Sequence, residues 1–206
     1  MHVTIGEVEV DLSSSGVSTL GDLIEAVQDA ATDKNEVIVG VVLNGETLNP
    51  DTQTAQQARE LEPDDRIEFA VQDAWVLLTA ALEETRSGLP ELKEKLEQVA
   101  ASLQAGSRQE AFSLFSECLM HWRQVVHLFQ VSQACLGYDP KEIEVEGRSL
   151  DTLNEELLTT LQQTKEAMEH GDLVMLSDLI EYELANQLRQ EETLLEHLIG
   201  LVPGGD

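Results

Sequence analysis

Between Asp172 and Leu198 the chain reads DLVMLSDLIEYELANQLRQEETLLEHL, and no other stretch limits its folding choices as tightly. Leu173, Leu176, Ile180, Leu184, Leu188, Glu191, Leu195 and Leu198 follow one another at intervals of three or four residues, which winds one stripe along a helix. At ~1.5 Å per residue that helix is roughly 40 Å long. A helix so long and so one-sided is not stable alone in water, so the stripe requires other helices to lie against.

The sequence supplies them. From Asp73 onward the apolar period is helical. Trp75, Leu78, Leu82, Thr85, Leu89, Leu92, Leu96, Val99 and Leu103 keep three-four spacing straight through Ser87-Gly88-Leu89-Pro90. A proline should end a helix there, but the register is not lost, which predicts one long helix kinked before Pro90. Gly106 is a stop signal, and Ser107 with Glu110 predicts a capping box for the next helix. Its stripe is Phe112, Phe115, Leu119, Trp122, Val126 and Phe129, continuing to about Cys135. A connection over 136–148, with an extended piece at 143–145, leads to Ser149 as the cap of a further helix. That helix carries Leu150, Leu153, Leu157, Leu161, Thr164 and Met168, and Gly171 ends it. Four amphipathic helices joined mostly by short turns predict an antiparallel four-helix bundle over 73–200, with a flexible tail at 201–206.

Residues 1–72 follow another rule. Val3, Ile5, Val8, Val10 and Leu12 are apolar around Gly6-Glu7, the pattern of a tight β-hairpin. After a polar connection at 13–18, Ser18 or Thr19 caps a helix bearing Leu20, Leu23, Ile24 and Val27. The valine-rich run Glu36–Leu43 reads as a strand buried on both faces. Asn44-Gly45 is a turn, Glu46–Leu48 a short return strand, Thr52–Leu61 a polar loop with one helical turn, and Asp64–Phe69 the last strand. The predicted class is therefore α+β, with a small sheet domain ahead of the bundle.

Within that first domain, V-x-L-N-G-x-x-L (Val41–Leu48) and L-x-P-x-D-x-I-x-F (Leu61–Phe69) resemble the patterns of small sulfur-carrier and TGS-type domains of the β-grasp, or ubiquitin-like, fold. The resemblance covers about a third of the chain and implies a β-grasp fold for 1–72. Carrier members of that family act through a Gly-Gly carboxy-terminus placed directly after the last strand. Here that strand runs into Gln72-Asp73-Ala74-Trp75 and a helix, and Gly204-Gly205 lies far downstream ahead of Asp206, so carrier chemistry is not carried over.

Charge narrows the partners. Forty Asp and Glu against 12 Lys and Arg give a net charge of −28, and both halves of the chain are acidic. Nucleic acid and anionic membrane surfaces both require a cationic patch, so neither is an expected partner. Acidity of this degree serves solubility or life in a salty cytoplasm, or attracts basic proteins. No apolar run approaches the ~20 residues that span a bilayer, and MHVTIGEVEVD has neither the basic nor the apolar part of a signal peptide. A cytoplasmic protein of bacterial type is expected. Cys118 and Cys135, seventeen residues apart on one helix, cannot pair with each other and are expected as buried thiols.

Catalytic signatures are missing: the sequence has no G-x-S-x-G, P-loop, G-x-G-x-x-G or H-E-x-x-H. Glu117, Cys118, His121 and His127 sit close together on one helix, but the paired Glu-x-x-His spacing of a bundle metal site is not repeated near His170 or His197. No metal, cofactor or catalytic residue is therefore assigned. The cluster Asp178, Glu181, Tyr182 and Glu183 is either solvated helix surface or a docking face for a basic peptide, and Tyr182 can pack its ring while presenting its hydroxyl. Trp122 joins it as a candidate partner-binding residue, the Phe112–Phe129 stripe being either bundle core or a groove for a partner helix. The expected function is that of a non-catalytic interaction protein binding protein partners. One alternative is a helical bundle that holds an amphipathic segment, since its acidity and helix count resemble small export chaperones of the flagellar type. Another is a metal- or carboxylate-dependent enzyme using His121 or His127, and a further one is a homodimer formed through the stripe of the last helix.

Overall fold

A computed structural model describes residues 1–10 and 16–204. The connection expected at 13–15, the strand residue Leu12 and the terminal Gly205-Asp206 lie outside the described residues. The protein is α+β and divides into two compact units, Met1–Leu77 and Leu78–Asp206.

In the first unit, β1 (His2–Ile5) and β2 (Val8–Val10) form a hairpin whose two-residue turn needs the positive φ of Gly6. Helix α1 (Leu20–Thr32) follows, then β3 (Glu36–Leu43), β4 (Glu46–Leu48), the short α2 (Pro50–Gln56) and β5 (Arg66–Asp73). The sheet order is β2-β1-β5-β3-β4, with β1 and β5 parallel and the other pairs antiparallel. Thr19 caps α1 reciprocally: its hydroxyl accepts from Asp22 N–H while Asp22 accepts from Thr19 N–H. Gly21 is required by close approach, because a Cβ there would meet the Gln57 carbonyl at 3.0 Å.

Leu20, Leu23 and Val27 of α1 pack with Val3, Val41, Leu43, Leu48, Ile67 and Phe69 of the sheet into one core. Helix α1 packs on one face of the sheet. The reading of β3 as buried on both faces is corrected accordingly: Val41 and Leu43 are buried, while Val39 is 48% exposed at an irregularity in the β3–β5 register. A valine-rich run is thus no proof that a strand is buried on both faces.

Two of the motif residues, Asn44 and Asp65, join Arg59, Glu62 and Arg66 in a single hydrogen-bonded node. Asp65, 2% exposed, accepts from both terminal nitrogens of Arg59 (2.9 and 2.7 Å), from Asn44 Nδ2 (2.8 Å) and from Glu62 N–H (2.8 Å). Asn44 Oδ1 in turn accepts from Arg66 N–H at 2.8 Å. The β3–β4 turn and the approach to β5 are therefore locked through side chains. The Arg59 guanidinium holds the Asp65 carboxyl well below the ordinary carboxylate range.

In the second unit, α3 (Ala74–Gln104) is one helix with Pro90 inside it. Pro90 stands on the exposed face of the helix, while Leu89 and Leu92 beside it are buried. The helix ends in a paired closure: Gly106 has φ +78, Gly106 N–H donates to Leu103 O and Ser107 N–H to Ser102 O. This overturns the expected capping box. Ser107 is drawn into the end of α3 at ψ 62 and makes no side-chain cap to α4 (Arg108–Leu136). Ser149, at ψ 154, does cap α5 (Leu150–His170) by accepting from Thr152 N–H. We expect Ser149→Ala to cost about 1 kcal/mol and Ser107→Ala under about 0.5 in urea denaturation. Equal losses would reject this assignment.

Between α4 and α5 a small hairpin, β6 (Glu144–Val145) and β7 (Arg148–Ser149), turns through Glu146 and Gly147, both at positive φ. The buried faces differ from the most hydrophobic reading. On α4 they are Ala111, Phe115, Cys118, Trp122, Val125, Phe129 and Ser132; on α5 they are Leu150, Leu153, Leu157, Thr160, Thr164 and Ala167. Leu119, counted in the predicted stripe, is 38% exposed. Small residues such as Ala111, Cys118, Thr160 and Ala167 share the inward face with Phe115, Trp122 and Phe129, so size and hydrophobicity alone do not pick the buried side. Of the two thiols, Cys118 is buried and pushed up to about 11 by that burial, whereas Cys135, expected inside, is exposed.

The last long helix is interrupted. It comprises α6 (Leu173–Asp178), a π-helical turn at Leu179–Leu184, and α7 (Ala185–Leu201). The tail prediction also needs revision: α7 includes Leu201, and Val202 beyond it is only 4% exposed. None of the helices among the described residues is long and apolar enough to cross a membrane.

Candidate functional site

The π turn has a cause in the stripe with which the sequence reading began. Leu176, Ile180, Leu184 and Leu188 are separated by three successive steps of four. In an α-helix each step of four over-rotates by about 40°, so three would swing the row about 120° off the seam. One extra residue in the helical ring rewinds about 100° of that, and all four side chains stay buried. The cost is a widened turn whose outer residues, Glu181, Tyr182 and Glu183, stand in solvent.

Around that turn lies an open groove of about 520 Å³ lined by Asp172, Val174, Met175, Asp178, Leu179, Tyr182 and Glu183. Its apolar members are unusually bare: Val174 is 74% exposed, Tyr182 67% and Met175 42%. Asp172, Asp178 and Glu183 supply acid, and no cationic side chain lines the groove. Three of the residues proposed from sequence are brought together here, Asp178, Tyr182 and Glu183. Glu181 leaves the group, because its carboxylate accepts from Gln104 Nε2 of α3 at 2.8 Å. Trp122 is corrected outright: it is 1% exposed and belongs to the core, so it is not a partner-binding residue. Val174 and Met175 were missed. Their signal was legible, since neither fits the three-four stripe and both are apolar.

A second cluster is internal. Glu191 occupies a stripe position on α7, and its side chain is 6% exposed. His121 Nε2 of α4 lies 2.9 Å from Glu191 Oε1. Glu117, one turn before His121, pairs instead with Lys95 of α3 at 3.1 Å, and His127 is exposed. Burial raises the Glu191 pKa, opposed by its hydrogen bond to His121 and by the nearby Trp122 indole, whose N–H falls outside hydrogen-bond geometry. Among the described residues no three His, Cys, Asp or Glu side chains are gathered as metal ligands.

The sign of the resulting pH effect follows. A carboxyl whose folded pKa is raised contributes stability that is complete at low pH and is lost as pH rises through that folded pKa, above its ordinary 4.5. Glu191→Gln keeps the shape without the buried charge. We expect it to match the wild type near pH 4.5 and to equal or exceed it by about 1 kcal/mol at pH 8, read from urea midpoints. A variant that loses ground as pH rises would contradict the assignment.

Fold and site thus define a two-unit α+β protein with an acidic, apolar-floored groove. Comparison with known proteins adds its family. The family described as "Domain of unknown function (DUF8042)" matches residues 80–193, over half of the chain, and the protein belongs to it. The family described as "TP0873 N-terminal domain" matches residues 1–73. The chain is similar to a Treponema pallidum (strain Nichols) protein titled "Uncharacterized protein", 23% identical over 199 residues, covering 96% of this chain and 98% of that one. No solved structure matches.

Proposed function

We propose that this is a non-catalytic interaction protein whose groove beside the π turn receives a basic, amphipathic segment of a protein partner. The observation that carries the reading is Val174, Met175 and Tyr182 lying bare beside Asp172, Asp178 and Glu183, with no cation among the lining residues. An exposed apolar floor with a polar rim is the usual form of a peptide-binding surface. A net charge of −28 draws a cationic segment toward it. The first unit is read as a β-grasp head, which its 2-1-5-3-4 strand order, parallel central pair and helix after the first hairpin support. The second is read as a four-helix bundle. Side-chain ties from α3 to α4 (Lys95–Glu117), from α3 to α7 (Arg86–Glu196), from α4 to α7 (His121–Glu191) and from α5 to α7 (Thr160–Gln187) support that reading.

Titrating the ¹⁵N-labelled chain with an amphipathic Leu/Lys helical peptide tests the proposal. The expected result is amide shifts centred on Val174, Met175, Asp178, Tyr182 and Glu183, weakened at least tenfold by Tyr182→Ala and by 0.5 M salt. Shifts confined to other surfaces, or equal binding of a scrambled peptide, would sink it. Light scattering showing the groove occupied by a second copy would also count against it.

A further inference from the structure

We propose that a single bound water molecule is a built-in part of the core between α4, α5 and α7, held by Trp122, Gln187, Gln190 and Glu191. These four side chains line one chamber of about 30 Å³ together with Asn154 and the apolar Val125, Phe129, Leu153, Leu157 and Leu194. That volume exceeds the roughly 10–15 Å³ that one water needs and excludes a ligand of more than a few heavy atoms.

The chemistry of the lining selects water over a dry void. Trp122 Nε1, Gln190 Nε2 and Gln187 Oε1 are buried polar atoms that find no hydrogen-bond partner in the protein. They are among the best-shielded polar groups of the unit, Trp122 being 1% and Gln190 5% exposed. A buried donor or acceptor left unmatched is rare and costly, whereas apolar chambers alone stay dry.

The orientation of Gln187 is fixed by its surroundings. Thr160 Oγ donates to Glu156 O at 3.0 Å, so it accepts from Gln187 Nε2, also at 3.0 Å, which leaves Gln187 Oε1 as the free acceptor. Asn154 aside, the four side chains then offer two N–H donors, from Trp122 and Gln190, and two acceptors, Gln187 Oε1 and the Glu191 carboxylate. Water accepts two hydrogen bonds and donates two, and it matches that set one for one. An anion would lack donors for Gln187 and Glu191, and an ammonium would lack acceptors for Trp122 and Gln190.

Water–protein cross-relaxation on the full chain tests this, with Trp75→Phe leaving Trp122 as the one indole signal. The expected result is a rotating-frame cross-peak between the Trp122 indole proton and water, opposite in sign to chemical exchange. A crystal structure at better than 1.8 Å should show one density peak within 3.3 Å of at least two of Trp122 Nε1, Gln187 Oε1 and Gln190 Nε2. Absence of the cross-peak, or density showing those atoms bonded directly to one another, would overturn the proposal.

Discussion

Asp65→Ala should remove a large share of the stability of the N-terminal unit, about 3 kcal/mol. Its carboxylate takes four hydrogen bonds, two from Arg59 and one each from Asn44 and Glu62, at 2.7–2.9 Å and 2% exposure. Breaking a buried pair costs about 3–5 kcal/mol. Arg59 is 29% exposed and can rehydrate, which places the loss near the lower figure, about 3 kcal/mol. A unit of this size holds only about 4–12 kcal/mol in total. Exposed Asp64, one residue away, is the control and should change stability by under about 0.5 kcal/mol. Guanidinium denaturation followed through the amide signals of β1, β3 and β5 reads the difference, and equal effects for the two substitutions would refute the role of Asp65. The pH response runs opposite to that of Glu191. A carboxyl held below its ordinary value stabilises above that value and loses its contribution as pH falls through the folded pKa. Below about pH 3.8 the first unit should therefore weaken while protonation of Glu191 favours the second.

Trp122→Ala carries the second large effect. The indole is fully buried against Val125, Phe129 and Leu194 around the interior chamber, and removing it leaves a cavity costing about 3–5 kcal/mol. Trp122→Phe should cost clearly less, since most of the apolar volume remains. Tyr182→Ala, at 67% exposure, should stay within about 0.5 kcal/mol in stability while weakening the proposed peptide binding at least tenfold. Thermal and urea unfolding of the three variants separate core from surface. A Tyr182→Ala variant as unstable as Trp122→Ala would show that the π turn depends on that ring.

Much of the local structure was legible beforehand because it rests on neighbours in sequence. Thr19 caps α1, Gly6-Glu7 turns the first hairpin, Asn44-Gly45 turns the second, and the stripe through Pro90 belongs to one helix. Each depends on residues within a few positions. The groove was half legible: Asp178, Tyr182 and Glu183 were found, but Glu181 was drawn off by Gln104, a residue 77 positions away.

What the order of residues determined alone was where the chain alternates, where it coils and that Thr19 and Ser149 cap helices, since backbone sterics and local hydrogen bonds settle those. Tertiary structure decided which side of each helix turned inward. It chose Ala111 and Cys118 over Phe112 and Leu119, took Ser107 from one helix into the end of another, and widened a turn at Leu179–Leu184 to keep four side chains on one seam. Those outcomes depend on how closely separate helices approach, a distance that hydrophobicity along a single helix does not contain.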